Sequence, residues 1–201
     1  MIARIEGTGL PLSGNDVDTD RIIPARFLVS VTFEGLERHL FEDDRKGAAA
    51  AGTLHPLDDP RFSGASILLV NRNFGCGSSR EHALQAIHRW GIRAVVGESF
   101  SEIFFGNALA LGLPCVTADG EALRRLQERA AKEPERRLTL DLRAKALSFG
   151  GETLPVHLPE GARDALLTGH WDGTALLLRD YDAVRAVASR LPYLSGFRDS
   201  A

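Results

Sequence analysis

The sequence predicts an α/β fold, and three observations lead to this class. Short apolar runs at residues 66–70, 92–97 and 114–117 predict strands, and the segments between them, residues 80–90 and 100–111, are typical of helices. A glycine-rich stretch separates the first of these strands from the first helix. The composition, 44% apolar and 25% charged, is ordinary for a globular protein.

The segments before this core are predicted to be mostly irregular, apart from an opening strand over residues 2–9. A polar loop follows at residues 15–20. Pro24 is predicted to open a short helix, and residues 35–41 form another. Charged residues, an alanine run and two X-Pro pairs predict a long surface loop over residues 43–64.

The segments after the core combine helices with a hairpin. A polar helix is predicted over residues 120–132. Alternating apolar residues predict a hairpin with strands at residues 139–142 and 146–149. Residues 154–158 add a strand, and a helical C-terminal part covers residues 160–195, with helices at 160–169 and 180–190.

Charge and composition exclude several classes of function. The net charge of −3 gives no electrostatic basis for binding nucleic acid or a membrane. No apolar run approaches the roughly 18–20 residues of a membrane span, and the N-terminus lacks the form of a signal peptide. The two cysteines, Cys76 and Cys115, form no disulfide framework, so we expect a cytoplasmic protein. A length of 201 residues predicts one domain over residues 1–201.

The most informative segment is the glycine-rich stretch at residues 73–82, Asn-Phe-Gly-Cys-Gly-Ser-Ser-Arg-Glu-His. It joins a predicted strand to a predicted helix, and the first N–H groups of a helix form an anion site. Ser78 and Glu81 match the capping box S-x-x-E, which predicts the helix start. Arg80 then lies in the first turn, where a cation costs roughly 0.3–1 kcal/mol. If Arg80 faces the same anion as the N–H groups, the segment is suited to a carboxylate or a phosphate.

Three other interpretations of this segment are open on residue type alone. In the first, Gly75 and Gly77 only supply positive φ angles for a tight turn, and Ser78 only caps the helix. The second is a stand-alone phosphate- or nucleotide-binding module, but Arg80 stands where the dinucleotide fingerprint has its third glycine. The third is a Ser–His hydrolase that uses His82, but the nucleophile elbow G-x-S-x-G is not met.

Two further segments extend the pattern. They are residues 15–24, Asn-Asp-Val-Asp-Thr-Asp-Arg-Ile-Ile-Pro, and residues 99–107, Ser-Phe-Ser-Glu-Ile-Phe-Phe-Gly-Asn. Together with residues 73–83, they resemble in order and spacing the aconitase-type swivelling domain, and specifically the small subunits of 3-isopropylmalate dehydratases. The resemblance covers residues 1–195. It implies a swivelling β/β/α domain with a C-terminal helical appendage.

The resemblance also implies a reaction: water is removed from 2-isopropylmalate and added back to give 3-isopropylmalate, in leucine biosynthesis. It assigns the base that takes a carbon proton to Ser78, and the binding of a substrate carboxylate to Ser79 and Arg80. Gly75 and Gly77 would support this loop. Because a serine hydroxyl is a poor base at neutral pH, its alkoxide needs stabilisation from the helix N-terminus and the guanidinium.

A second loop is implied to complete the site. The resemblance places Asp20 near the active site, and it places Leu28 and Val29 against the variable group of the substrate. Their apolar side chains suit a branched alkyl group, although simple core packing is the alternative. A homoaconitase-like relative would be expected to carry a cation here, and Arg26 is offset from that position. A homoaconitase or a methylmalate/citraconate dehydratase small subunit is therefore the alternative function.

The cysteine count bears on the cofactor that the resemblance implies. Aconitase-type dehydratases use an iron–sulfur cluster, and such clusters are held mostly by several thiolates. This chain has two cysteines, so we expect it to bind no metal and the 4Fe-4S cluster to lie on a large subunit. The predicted assembly is a heterodimer or heterotetramer that acts on a small dicarboxylate.

Overall fold

The computed structural model describes residues 1–29, 32–78, 80–195 and 197. Its strands are β1 (Arg4–Pro11), β2 (Ile67–Leu69), β3 (Ala94–Gly97), β4 (Cys115–Thr117), β5 (Arg137–Asp141), β6 (Ala146–Phe149) and β7 (Glu152–Pro155). They form one seven-stranded sheet in the order β4-β3-β2-β1-β5-β6-β7. The predicted α/β class is confirmed.

The sheet is parallel on one side of β1 and antiparallel on the other. β1 pairs in parallel with β2, β2 with β3, and β3 with β4. On its other side β1 pairs with β5, and β5, β6 and β7 follow as an antiparallel meander. Since parallel neighbours end at the same edge, the loops that follow β1, β2 and β3 emerge side by side.

Helices make most of the connections. In the described residues the α-helices are α1 (Thr19–Ile22), α2 (Glu42–Ala50), α3 (Glu81–Trp90), α4 (Glu102–Ala110), α5 (Gly120–Lys132), α6 (Glu160–Thr168), α7 (Gly173–Arg179) and α8 (Tyr181–Ala188). Short 3₁₀ turns lie at Ala25–Phe27, Leu36–His39, Pro56–Asp58, Pro60–Phe62 and Pro192–Ser195. None of the helices in the described ranges has both the length and the apolar character needed to cross a membrane.

An apolar core lies on each face of the sheet. Successive strand residues point to opposite faces, so Leu68 joins one core while Leu69 joins the other. The first core includes Leu84 and Ile87 of α3, and the second includes Leu123 of α5. Because β2 and β3 are covered on both faces, their sequences are continuously apolar rather than alternating.

The prediction of a long surface loop over residues 43–64 is wrong. The segment contains most of α2 and two 3₁₀ turns. The first turn of α2 is acidic, Lys46 forms an ion pair with Glu42 one turn earlier, and Arg45 pairs with Asp58 beyond the helix. Acidic residues at the helix start and an ion pair at helical spacing stabilise this helix. Because the helix carries no apolar face, the hydrophobic pattern of the sequence did not indicate it.

The C-terminal part differs from the prediction in detail. The strand expected over residues 154–158 begins earlier and ends earlier, as β7, while Val156 and Leu158 remain buried beyond its end. Within residues 160–195 the structure has α6, α7, α8 and a 3₁₀ turn. Helix α7 lies between the two helices that the sequence predicts there.

Candidate active site

Three loops meet at the carboxyl edge of the parallel strands. They follow β1, β2 and β3, and they contain the segments 15–24, 73–83 and 99–107 that the sequence singles out. Ligand sites of open α/β sheets lie at this edge. The fold therefore brings together three segments that lie far apart in the chain, an ordinary consequence of parallel pairing with crossover helices.

Backbone hydrogen bonds join the first two of these loops. The Gly75 N–H donates to the Val17 carbonyl oxygen at 2.7 Å, and the Thr19 N–H donates to the Cys76 oxygen at 2.9 Å. The Thr19 hydroxyl donates to the backbone carbonyl oxygen of Ser78 at 3.0 Å. Ser78 is therefore positioned by Thr19, which is only 3% exposed.

The third loop holds the glycine-rich segment from its other side. The Phe74 N–H donates to the Ser99 carbonyl oxygen at 3.1 Å, and the Ser101 N–H donates back to the Phe74 oxygen at 3.2 Å. The Ser101 hydroxyl donates to the Gly75 oxygen at 2.6 Å. Thr19 and Ser101 are site-supporting residues that the sequence argument missed, and the signal for both is a hydroxyl within a segment already singled out.

Gly75 is required by both its backbone angle and its surroundings. Its φ is +76°, and a Cβ at this position would lie 2.3 Å from the ring of Phe104. Gly77 also has a positive φ, +88°, but the nearest atom to its would-be Cβ is the Thr19 hydroxyl at 3.5 Å, an ordinary contact. The two glycines therefore support the loop in different ways.

This difference gives a matched pair of variants. We expect Gly75→Ala to lower the free energy of unfolding by about 3 kcal/mol or more, because backbone strain adds to overpacking against Phe104. Gly77→Ala should cost only about 1 kcal/mol, from the backbone angle alone. Urea unfolding of both variants measures this, and equal losses would contradict the close approach to Phe104.

The start of α3 differs from the prediction. The helix begins at Glu81, and Arg80 occupies the N-cap position without a capping side chain, so the predicted capping box of Ser78 and Glu81 is wrong. Ser99 and Glu102 also match the capping-box pattern S-x-x-E in the sequence, and this second box does not form either. Ser101 caps α4, accepting from the Phe104 N–H at 3.3 Å, while the Ser99 hydroxyl accepts from the Asn73 N–H at 2.8 Å.

Arg80 forms an ion pair with Asp20 across the first two loops, through Nη1 of the guanidinium and Oδ1 of the carboxylate. The Arg80 side chain is 15% exposed and that of Asp20 is 55% exposed. Partial burial strengthens such a pair relative to one in bulk water. The structure thus brings Asp20 and Arg80 together across the two loops that the bond from Thr19 to Ser78 also joins.

Ser78 lies at the surface of this loop cluster. It is exposed, as is Gly77, whereas Gly75 is buried. Ser79, also predicted to bind substrate, lies outside the described residues. Cys76 in the same loop is half-buried, and burial together with the carboxylates of Asp18 and Asp16 raises the pKa of its thiol. This thiol is therefore protonated at neutral pH and is a poor nucleophile.

The predicted specificity residues lie on the segment after α1. Leu28 is half-buried against the core cluster, while Val29 is 85% exposed. Phe33, a few residues further on, packs edge-on against His82 of α3, with ring centroids 5.1 Å apart. Arg26 does not face this surface as a free cation, because it pairs with Asp43 and Glu42 of α2.

Comparison with known proteins assigns this fold to a class. Residues 1–120 match the family model of the Aconitase C-terminal domain. The chain is 50% identical to the 3-isopropylmalate dehydratase small subunit of Synechocystis sp. over 194 residues, which cover 96% of each chain. It is 49% identical to the protein of that name from Thermus thermophilus, over 94% of each chain.

A solved structure agrees with these relatives. The crystal structure of 3-isopropylmalate dehydratase (leuD) from Methanocaldococcus jannaschii matches with a TM-score of 0.65 at 26% identity, over 89% of this chain and 99% of that one. The class is that of aconitase C-terminal domains. Within it, the chain belongs to the family of 3-isopropylmalate dehydratase small subunits. The resemblance inferred from the three sequence segments is confirmed.

Proposed function

We propose that this chain is the small subunit of a two-chain isopropylmalate isomerase, a hydro-lyase that interconverts 2-isopropylmalate and 3-isopropylmalate in leucine biosynthesis. The proposal depends on the sequence identity to the named relatives, which is 50% and 49% over nearly their whole length. The meeting of Ser78, Arg80 and Asp20 at one edge of the sheet supports it.

In this proposal Ser78 is the base. Its alkoxide takes the proton from the carbon next to a substrate carboxylate, the C–H electron pair forms the C=C bond, and the neighbouring C–O bond breaks. The iron–sulfur cluster expected on the large subunit would supply the Lewis acid that receives the departing hydroxide. In the second half the hydroxyl group is added at the other carbon, and Ser78 returns the proton. The nearby Arg80 guanidinium and the positive end of α3 favour the alkoxide electrostatically.

Arg80 is proposed to hold a substrate carboxylate. A guanidinium has five N–H donors in a planar fork, so it can meet Asp20 with one and a substrate carboxylate with others. Asp20 then serves as a support that fixes the plane of this fork. Ser79 is proposed to donate a further hydrogen bond to the same carboxylate.

Leu28 and Val29 are proposed to contact the isopropyl group. The exposure of Val29 fits a surface that becomes covered when substrate and a partner chain are present. Because Arg26 is neutralised by two carboxylates of α2, this segment offers no free cation, among its described residues, for the additional carboxylate of a homoaconitate-type substrate.

The 4Fe-4S cluster of the reaction is proposed to lie on a large subunit. The thiols of this chain do not fit a cluster site: burial raises the pKa of Cys115 far above its usual range, and Cys76 is also held protonated. This chain would then be active only in a heterodimer or heterotetramer, as one domain over residues 1–201, in the cytoplasm.

The test is an isopropylmalate dehydration assay that follows the unsaturated product by ultraviolet absorbance. This chain is assayed alone, then mixed with a reconstituted iron–sulfur large subunit from the same source, with homoaconitate and citraconate in parallel. We expect activity only in the mixture, and with isopropylmalate preferred. A preference for another substrate would overturn the substrate assignment, and inactivity with every substrate would overturn the proposed function.

A further inference from the structure

A buried polar network lies behind the three active-site loops. Asn71 lies two residues beyond the end of β2, and Gln127 lies on the inner face of α5; their exposed fractions are 6% and 5%. The two side-chain amides bond to each other, from Asn71 Nδ2 to Gln127 Oε1 at 3.2 Å and from Gln127 Nε2 to Asn71 Oδ1 at 3.4 Å. Buried amides are costly unless their donors and acceptors are satisfied.

The remaining bonds of this amide pair go to the ends of the strands that carry the active-site loops. Gln127 Nε2 donates to the carbonyl oxygens of Leu69, at the end of β2, and of Leu12, just after β1, at 3.0 and 3.4 Å. Asn71 Nδ2 donates to Glu98 Oε1, just after β3, at 3.1 Å. Asn71 Oδ1 accepts from the Gly14 N–H at 3.0 Å. One network thus ties together all three strand ends.

The bond to Gly14 also fills a gap in a ladder that leads to Ser78. The segments 12–19 and 69–78 run side by side, and backbone bonds join Leu12 to Leu69, Asp16 to Arg72, Val17 to Gly75 and Thr19 to Cys76. Between the Leu12–Leu69 bond and the Asp16–Arg72 bond, the two segments are joined by the hydrogen bond from the Gly14 N–H to the Asn71 side chain. The ladder ends at the bond from Thr19 to Ser78. The Asn71 side chain therefore helps to hold the two segments together at the buried end of this series of hydrogen bonds.

The network is distinct from the substrate-facing surface. Asn71, Glu98 and Gln127 line a cleft of about 590 Å³ that includes neither Ser78 nor Arg80 among its lining residues. Glu98 reaches Asn71 past Gly120, where a Cβ would lie 2.8 Å from the Glu98 carboxyl carbon. Arg124 of α5 meets the same Glu98 carboxylate at 3.4 Å.

We propose that Asn71 is a positioning residue for the dehydratase reaction: its amide, held by Gln127 and Glu98, fixes the loop of Ser78 and Arg80 relative to the loop of Asp20. This inference rests on the proposed function for its effect on turnover. The donor–acceptor pattern is specific, because Asn71 must donate to a carboxylate with one end of its amide and accept from a backbone N–H with the other. Displacing reacting groups by about 1 Å is enough to cost roughly 100-fold in rate.

The pattern permits a reversal experiment. In Asn71→Asp the new oxygen faces the Glu98 carboxylate, and we expect kcat/KM in the reconstituted two-chain enzyme to fall about tenfold or more. Glu98→Gln in the same chain restores a donor opposite the introduced aspartate. Because the new oxygen still faces Gln127 Oε1, we expect recovery of only part of the loss. Glu98→Gln alone keeps an acceptor for Asn71, so its loss should be smaller than that of Asn71→Asp.

A second readout needs no activity. Hydrogen exchange of the Gly14 amide and of residues 72–78 in the isolated chain should be faster in Asn71→Asp and return towards the wild-type rate in the double variant. Leu147→Ala, a core truncation in β6 on the antiparallel side, is the control: it should lower stability without changing kcat/KM or exchange in these loops. Failure of the second substitution to recover either quantity would overturn the positioning role, whereas inactivity of the wild-type mixture would overturn only the proposed reaction.

Discussion

Replacement of Ser78 by alanine should nearly abolish turnover in the reconstituted enzyme while leaving the fold and the assembly of the two chains intact. General acid–base catalysis by a positioned side chain contributes about 10²–10⁴-fold, and we expect kcat to fall by that factor. KM should change little, because Arg80 and Ser79, not Ser78, are proposed to hold the carboxylate. Ser78 is exposed, so loss of its hydroxyl leaves no cavity in a core.

The measurement is steady-state kinetics of isopropylmalate dehydration, together with size-exclusion chromatography of the mixed chains. Ser63→Ala is a suitable control, since Ser63 is also exposed and lies in a 3₁₀ region before β2, outside the three loops. The control should retain wild-type kcat. If the Ser78→Ala enzyme assembles and its kcat stays within about tenfold of wild type, Ser78 is not the base.

The sequence singles out the three segments of the candidate site, and the topology of the sheet explains why they meet. Apolar runs that alternate with helices predict parallel strands joined by crossovers, and segments after such strands meet at one edge. The three segments with unusual residue patterns all follow strands β1, β2 and β3. Their meeting therefore depends on topology, which hydrophobic periodicity reveals well.

Local details of the site are set by tertiary contacts that no sequence pattern contains. Ser78 and Glu81 satisfy the capping-box pattern, yet Arg80 takes the N-cap position with extended backbone angles, so the helix begins only at Glu81. Both Ser99 and Ser101 could cap α4 by type. Ser101 does so, because the Ser99 hydroxyl instead accepts a hydrogen bond from the Asn73 N–H.

The hydrogen-bond network of Asn71 and Gln127 was not predicted from the sequence either, although the sequence contains one indication of it. Gln127 occupies the apolar face of α5, with Leu123 and Ala130 at helical spacing on the same face. A polar residue on such a face indicates a buried hydrogen-bond partner. The partner itself, Asn71, cannot be identified from spacing, because 56 residues separate the two.

Replacement of Arg80 by lysine should weaken the enzyme strongly even though the charge is kept. The Arg80 guanidinium is 15% exposed and already engages Asp20, so a substrate carboxylate would meet a fork whose plane is fixed. Lysine has a compact ammonium group that cannot bond to Asp20 and to a carboxylate in the same geometry. Loss of a charged hydrogen bond costs roughly 1.5–3 kcal/mol, which corresponds to about 10- to 150-fold in kcat/KM.

Arg21→Lys provides the matched control for this prediction. Arg21 follows Asp20 directly and forms a comparable fork with Asp44, through Nε at 3.1 Å and Nη2 at 2.8 Å, but its side chain is 45% exposed. Surface pairs contribute about 1 kcal/mol or less, so this variant should keep kcat/KM within a few-fold of wild type. A larger loss in Arg80→Lys than in Arg21→Lys, seen mainly in KM, identifies Arg80 as the carboxylate clamp. Equal kinetics in the two variants would instead assign Arg80 only to the ion pair with Asp20.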